Sequence, residues 1–353
     1  MGTVCRCASE NLPKIFQWTV WAALPQWGMS LVIDLLWLFA GLSALYFGAD
    51  WLVGGASKLA VRYGISPLVV GLTVVAFGTS APELFVSIGF NSGGYPDMAL
   101  GNVIGSNICN IALVLGMSAF ICVLTIKTEL LTRDLPILLG ATLVFCWMVA
   151  NGQIGRIGGA LLFLAVIGYT LYQLVLAKKF KTPELLSEFE EGLDPEAAKK
   201  EPVWKLSALI LVGLVALYFG AEWLERGGVS LARGFGVPEA VISLTLIAFS
   251  TSVPELATSI VASLKRQGDI ITGNVIGSCI FNLLCVIGVT AMMKPIEATQ
   301  IESADLWVMV GLTALLIPIM ATKKRISRWE GGFLLLCYVS YTAYLFVTRV
   351  NPA

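Results

Sequence analysis

Two glutamates, Glu83 and Glu255, sit well inside apolar runs, 172 residues apart, each at the same place in a repeated heptapeptide, GTSAPEL and STSVPEL. Thr79 and Ser80 precede Glu83 by four and three residues, and Thr251 and Ser252 precede Glu255 in the same way. On a helix that spacing puts a carboxylate and two hydroxyls on one face. Pro82 and Pro254 lie between them and have no N–H for the carbonyls of Gly78 and Ser250, so the helix is expected to bend there. About twenty residues on, GNVIGSNICN and GNVIGSCIFN supply Ser106 with Asn110 and Ser278 with Asn282, each pair four apart and sharing a face. The offered donors are carboxylates, hydroxyls and loosened carbonyls, with no nitrogen or sulfur. Such a set suits a hard cation such as Ca²⁺ or Na⁺.

The matching runs without a gap from about 46–118 to 218–290, and Tyr46-Phe-Gly-Ala-Asp50 answers Tyr218-Phe-Gly-Ala-Glu222. A period this long is too large for a solenoid unit and reads as a duplicated half-protein. Gly101 with Gly105, and Gly273 with Gly277, add the small-xxx-small pattern that lets membrane helices approach closely.

The elements that must carry these residues are membrane spans. The chain is 57% hydrophobic and 13% charged, with a mean hydropathy of +0.83, against about 25% charge in soluble domains. Net charge is zero and histidine is absent, which argues against nucleic acid, imidazole catalysis and a zinc or copper centre. The eight cysteines are scattered; Cys5 and Cys7 form a lone C-x-C, and most of the others read as small apolar residues of helices.

Ten apolar runs are long enough to span, near 31–53, 66–90, 98–124, 134–151, 157–177, 204–224, 238–264, 270–293, 304–322 and 330–348. The expected fold is an all-α polytopic membrane protein of ten transmembrane helices in two inverted five-helix repeats. Its parts are an N-terminal extension (1–28), a first repeat (29–177), a charged cytoplasmic linker (178–203) and a second repeat (204–353). Residues 1–28 make a poor signal peptide; a start at Met29, or an interfacial extension, is expected. Five spans per half is odd, so the halves enter the membrane in opposite senses. With both termini outside, 16 of the 23 basic residues fall on the cytoplasmic side. Asp50 and Glu222 read as solvated interfacial carboxylates, and no aspartate except Asp34 is expected deep in a span. The acidic linker lacks EF-hand spacing.

With these motifs in hand, the chain resembles the cation/calcium antiporter superfamily, and more narrowly bacterial and archaeal sodium/calcium exchangers. The likeness covers nearly everything after Met29. It implies ten helices, a midplane cation site, and a two-helix gate bundle sliding against a core. Carried onto this sequence, it makes Glu83 and Glu255 shared ligands of transported Ca²⁺ and Na⁺. Thr79, Ser80, Thr251, Ser252, Ser106 and Ser278 complete the sites, Ala76 and Ala248 lend main-chain carbonyls, and Asn110 is the polar partner in the third span. Two positions depart: Ser250 answers Gly78, and Asn282 stands where potassium-dependent members and some archaeal ones carry Asp. With Asn282 neutral, the centre holds at most two negative charges, which one Ca²⁺ balances. The implied activity is potassium-independent Na⁺/Ca²⁺ antiport in the cytoplasmic (inner) membrane, without a cofactor, its partners being the two ions and the lipid bilayer. H⁺/Ca²⁺ exchange is the alternative within transport, since both glutamates could carry protons. A passive channel fits duplicated, helix-breaking halves poorly. An intramembrane enzyme would need a nucleophile and base, or a paired aspartate site.

Overall fold

The computed structural model describes residues 12–179, 200–235, 248–299 and 301–350. In chain order the helices are α1 (Leu12–Tyr63), α2 (Pro67–Thr79), α3 (Ala81–Ser92), α4 (Pro96–Ile121), α5 (Leu130–Ala150), α6 (Arg156–Lys179), α7 (Val203–Gly234), α8 (Val253–Leu264), α9 (Gly268–Met293), α10 (Ser303–Ala321) and α11 (Arg328–Leu345). Among the described residues, eight helices are long and apolar enough to cross a membrane, and the bent pair α2–α3 makes nine if it is counted as one span. The seventh expected span, 238–264, lies partly outside the described residues, as does most of the linker. Four two-residue strands depart from a purely helical chain: β1 (Leu124–Thr125), β2 (Gln153–Ile154), β3 (Ile296–Glu297) and β4 (Arg325–Ile326).

Several contacts between the two parts of the chain come in pairs related by the 172-residue offset. Strand β1 pairs antiparallel with β4, Leu124 opposite Ile326, and β2 pairs with β3, Ile154 opposite Ile296. Gly116 packs on Gly331, and Gly288 on Gly159. Helices α1 and α7 lie antiparallel, Gly41 against Leu224 and Gly213 against Leu52. A Cβ at Gly48 would come within 2.9 Å of the Gly213 carbonyl, and one at Gly213 within 2.8 Å of the Gly48 carbonyl. Small residues at the crossing set this spacing.

The interior is built on α4 and α9, whose most apolar stretches are 72% and 83% buried, whereas that of α11 is 11% buried. Gly273 and Gly277 bring α9 onto the backbone of Leu68 and Leu72 in α2, the close approach their spacing predicts. The outward-facing side chains of α1, α6 and α11, such as Phe39, Leu161 and Leu336, are apolar and exposed, as lipid contact requires.

Several polar residues sit differently from expectation. Lys58 and Arg62 belong to the last turns of α1, beyond the span expected to end near 53, because the helix runs on to a glycine stop. Gly64 has φ +62°, and the Gly64 and Ile65 amides bond back to Val61 and Ala60. Asp50 and Glu222 are not merely solvated: Asp50 pairs with Lys265 at 2.7 Å and Glu222 with Arg226 at 2.6 Å. Asp34 is buried, but so are Asp134 and Asp305. Asp134 is neutralised by Arg133 at 2.8 Å and accepts from Gln173 and the Tyr169 hydroxyl; Asp305 accepts from Tyr341. Burial of Asp134 and Asp305 is tolerated because each has donors. Where the linker rejoins the described chain, Glu201 meets Lys58 at 2.6 Å and Lys205 at 3.2 Å. Hydrogen bonds from those lysines hold its carboxyl below the ordinary carboxylate range.

Candidate cation site

Both heptapeptides break their helix at the serine. Ser80 (φ −87°, ψ 5°) and Ser252 (φ −92°, ψ 2°) leave the helical region at corresponding positions. Pro82 and Pro254 then occupy the second position of α3 and α8, where a missing N–H costs nothing. The α2–α3 pair bends by 41° at this break, as the proline predicts. One expectation changes: Thr79, Ser80 and Glu83 do not share the face of one continuous helix. Thr79 ends α2, Ser80 is the joint, and Glu83 lies in the first turn of α3.

The break turns the hydroxyls across the molecule. Ser80 donates to Glu255 Oε1 at 3.1 Å, so a hydroxyl of the first half serves the carboxylate of the second. Thr79 Oγ1 lies 3.2 Å from Asn274 Oδ1 and 3.5 Å from Ser278 Oγ. Thr251 donates to Asn102 Oδ1 at 3.4 Å. The Ala76 carbonyl accepts the Ser80 amide at 3.1 Å and lies 3.5 Å from the Thr79 hydroxyl. Ala248 opens the short helical piece Ala248–Ser250.

In α4 and α9 the asparagines coincide with widened π-helical turns, Cys109–Val114 and Asn282–Val286. Such turns are rare and concentrate at functional sites. Asn110 and Asn282 are fully buried, and among the described residues neither side-chain amide has a partner at either end. The same holds for Ser106 Oγ, Ser252 Oγ, both oxygens of Glu83 and Oε2 of Glu255. Glu83 and Glu255 are 0% exposed, and no described lysine or arginine pairs with either. An unpaired buried carboxylate costs several kcal/mol. Two of them amid unsatisfied oxygens make a cradle that a cation or protons must neutralise, and the donor chemistry is that of a hard cation.

Asn102 and Asn274 were outside the ligand set read from the sequence. The signal was present: each stands four residues before the serine of its decapeptide, on the same helix face.

Comparison with known proteins completes the picture. The sodium/calcium exchanger protein family matches this chain twice, over residues 33–175 and again over 205–347. The chain belongs to that family. The two matched segments begin 172 residues apart, the same offset that relates Glu83 to Glu255. It is 36% identical over 323 residues to the putative antiporter CaxA of Alkalimonas amylolytica, covering 90% of this chain and 99% of that protein. It is 29% identical over 347 residues to the sodium/calcium exchanger MaX1 of Methanosarcina acetivorans, covering 90% and 99%. Its fold is similar to that of the sodium-calcium exchanger NCX_Mj, solved after soaking in 10 mM Na⁺ and 10 mM Sr²⁺. The TM-score is 0.76 at 30% identity, over 89% of this chain and 98% of the other. The protein is thus a multi-pass membrane protein of a transporter family, a cation/calcium antiporter in kind.

Proposed function

We propose that this exchanger couples Na⁺ to Ca²⁺ in opposite directions across the cytoplasmic membrane, by alternating access to one central site. The observation that carries the reading is the pair of buried carboxylates, Glu83 and Glu255, without basic partners and surrounded by unsatisfied oxygens. In this reading both are shared ligands. Thr79, Ser80, Ser106, Thr251, Ser252 and Ser278 supply hydroxyls, Asn110 and Asn282 supply amide oxygens, and Ala76 and Ala248 supply carbonyls. One Ca²⁺ neutralises the pair, whereas three Na⁺ would leave one positive charge and make transport electrogenic. Potassium has no role, because Asn282 adds no third charge.

The architecture proposed with it is ten spans in two inverted halves (29–177 and 204–353), with both termini outside and the linker cytoplasmic. The antiparallel α1–α7 pair and the paired cross-half contacts support the inversion. That helix pair would form the bundle that slides over the core of α2–α4, α8 and α9.

The test is radiolabelled Ca²⁺ uptake into proteoliposomes under an outward Na⁺ gradient, compared with a proton gradient in Na⁺-free buffer. Na⁺-dependent uptake is expected. Uptake driven by protons alone would replace this reading by H⁺/Ca²⁺ exchange, which the unpaired Glu83 oxygens would also serve.

A further inference from the structure

A hydroxyl group binds a cation through its lone pairs, so its proton must point at some other acceptor. Thr79 and Thr251 each have one in the opposite half. The Thr79 hydroxyl lies 3.2 Å from Asn274 Oδ1, closer than to Ser278 Oγ or the Ala76 carbonyl, both at 3.5 Å. Thr251 lies 3.4 Å from Asn102 Oδ1. The two contacts correspond under the 172-residue offset, and each joins one half of the chain to the other.

The Asn102 amide has only one chemically sensible orientation. Its Nδ2 donates to Ser87 Oγ at 3.0 Å and to the main-chain carbonyl of Glu83 at 3.4 Å. A carbonyl can only accept, so the Nδ2 edge faces Glu83 and the oxygen edge is left for Thr251. Asn102 therefore braces the backbone of one carboxylate residue and takes the proton of the threonine beside the other. Asn274 is buried too, but its Nδ2 has no partner among the described residues. The first brace is held at both ends and the second at one.

We infer that Asn102 and Asn274 are positioning residues for transport. Each accepts the hydroxyl proton of the other half's threonine and so turns that threonine's lone pairs toward the transported ion. The inference rests on the threonines being ligands, as proposed above. It also makes each of these two threonines depend on the half of the protein opposite its own, so that ion binding reports on how the halves are seated.

The test uses the full chain in proteoliposomes, with half-saturating Na⁺ and Ca²⁺ and maximal rate measured separately. Asn102→Leu and Asn274→Leu are expected to raise both half-saturating concentrations about tenfold, the worth of one hydrogen bond, at similar maximal rate. Thr251→Val on top of Asn102→Leu is expected to add nothing further, and likewise Thr79→Val on Asn274→Leu. The mismatched pair Asn102→Leu with Thr79→Val is expected to multiply. Multiplying effects within the matched pairs, or unchanged saturation in the leucine variants, would overturn the inference and leave the ligand set standing. Unchanged saturation in both threonine variants would overturn the ligand reading and the inference with it. Should the leucine variants fail to fold, Asn102→Ala and Asn274→Ala remove the same accepting oxygen without adding bulk or charge. The same rise in half-saturation is expected, and unchanged saturation would overturn the inference.

Discussion

Ser80 and Glu255 belong to opposite halves of the chain, yet the Ser80 hydroxyl donates to Glu255 Oε1 at 3.1 Å. The corresponding hydroxyl, Ser252, makes no such bond to Glu83. Ser80→Ala therefore removes both a proposed ligand oxygen and the bond that holds the carboxylate in place, while Ser252→Ala removes a proposed ligand oxygen alone. Half-saturating Ca²⁺ is expected to rise in the order wild type, Ser252→Ala, Ser80→Ala. A bond to a charged group contributes about 1.5–3 kcal/mol, so the Ser80 variant is expected to lose about tenfold or more. Equal losses in the two variants, measured as Ca²⁺-dependent uptake, would mean that the bond does not order the loaded site.

The crossing of α1 and α7 gives a second prediction. A Cβ at Gly213 would meet the Leu52 backbone nitrogen at 2.8 Å, and neither backbone can yield without parting the helices. Gly213→Ala and Gly48→Ala are expected to destabilise by about 1–3 kcal/mol, the usual cost of overpacking. Thermal unfolding in detergent measures this. Gly168→Ala, where a new Cβ meets no described atom within 4 Å, is the control and is expected to unfold like wild type.

At one end of the bundle α1 is tied to the core: Lys265, just past α8, meets the Asp50 carboxylate at 2.7 Å and its main-chain carbonyl at 3.3 Å. The equivalent acid, Glu222, pairs instead along its own helix with Arg226. Breaking the Lys265 tie with Asp50→Asn is expected to favour opening at that end. Because the pair is about a third exposed, the gain is at most about 1 kcal/mol. Half-saturating Ca²⁺ on the Lys265 face is expected to fall by up to about fivefold, and high salt to reduce the difference. An unchanged value at low salt would show that the pair does not bias the equilibrium.

Asn282 leads to a prediction about potassium. With a neutral amide there, replacing K⁺ by choline is expected to leave Na⁺-driven Ca²⁺ uptake unchanged. Asn282→Asp adds a third carboxylate to the proposed two-carboxylate centre, and is expected to make uptake respond to an additional monovalent cation. Strong potassium stimulation of the wild-type protein would refute the charge count.

Much of this architecture was legible before any coordinates. The offset of 172 residues marked the duplication, hydropathy marked nearly all the spans, and Pro82 marked the bend. What was not legible were the relations across the halves. No periodicity within one helix could show that Ser80 serves Glu255, because the bond depends on how two broken helices cross. Asn102 and Asn274 escaped for a related reason: their spacing places them on the site's face, but their partners come from the other half. Asp134 was not read as a buried acid because two of its donors, Tyr169 and Gln173, lie on the next helix. The short strands were invisible because two residues carry no alternation to detect.

The central claim is that Glu83 and Glu255 together hold one Ca²⁺ that Na⁺ displaces. Calcium binding to the purified full-length protein, titrated with and without Na⁺, tests it most directly. The expected result is one tightly bound Ca²⁺ per chain, competed by Na⁺ and lost in either Glu83→Gln or Glu255→Gln. Tight binding that survives both single variants, or that Na⁺ does not displace, would contradict the account.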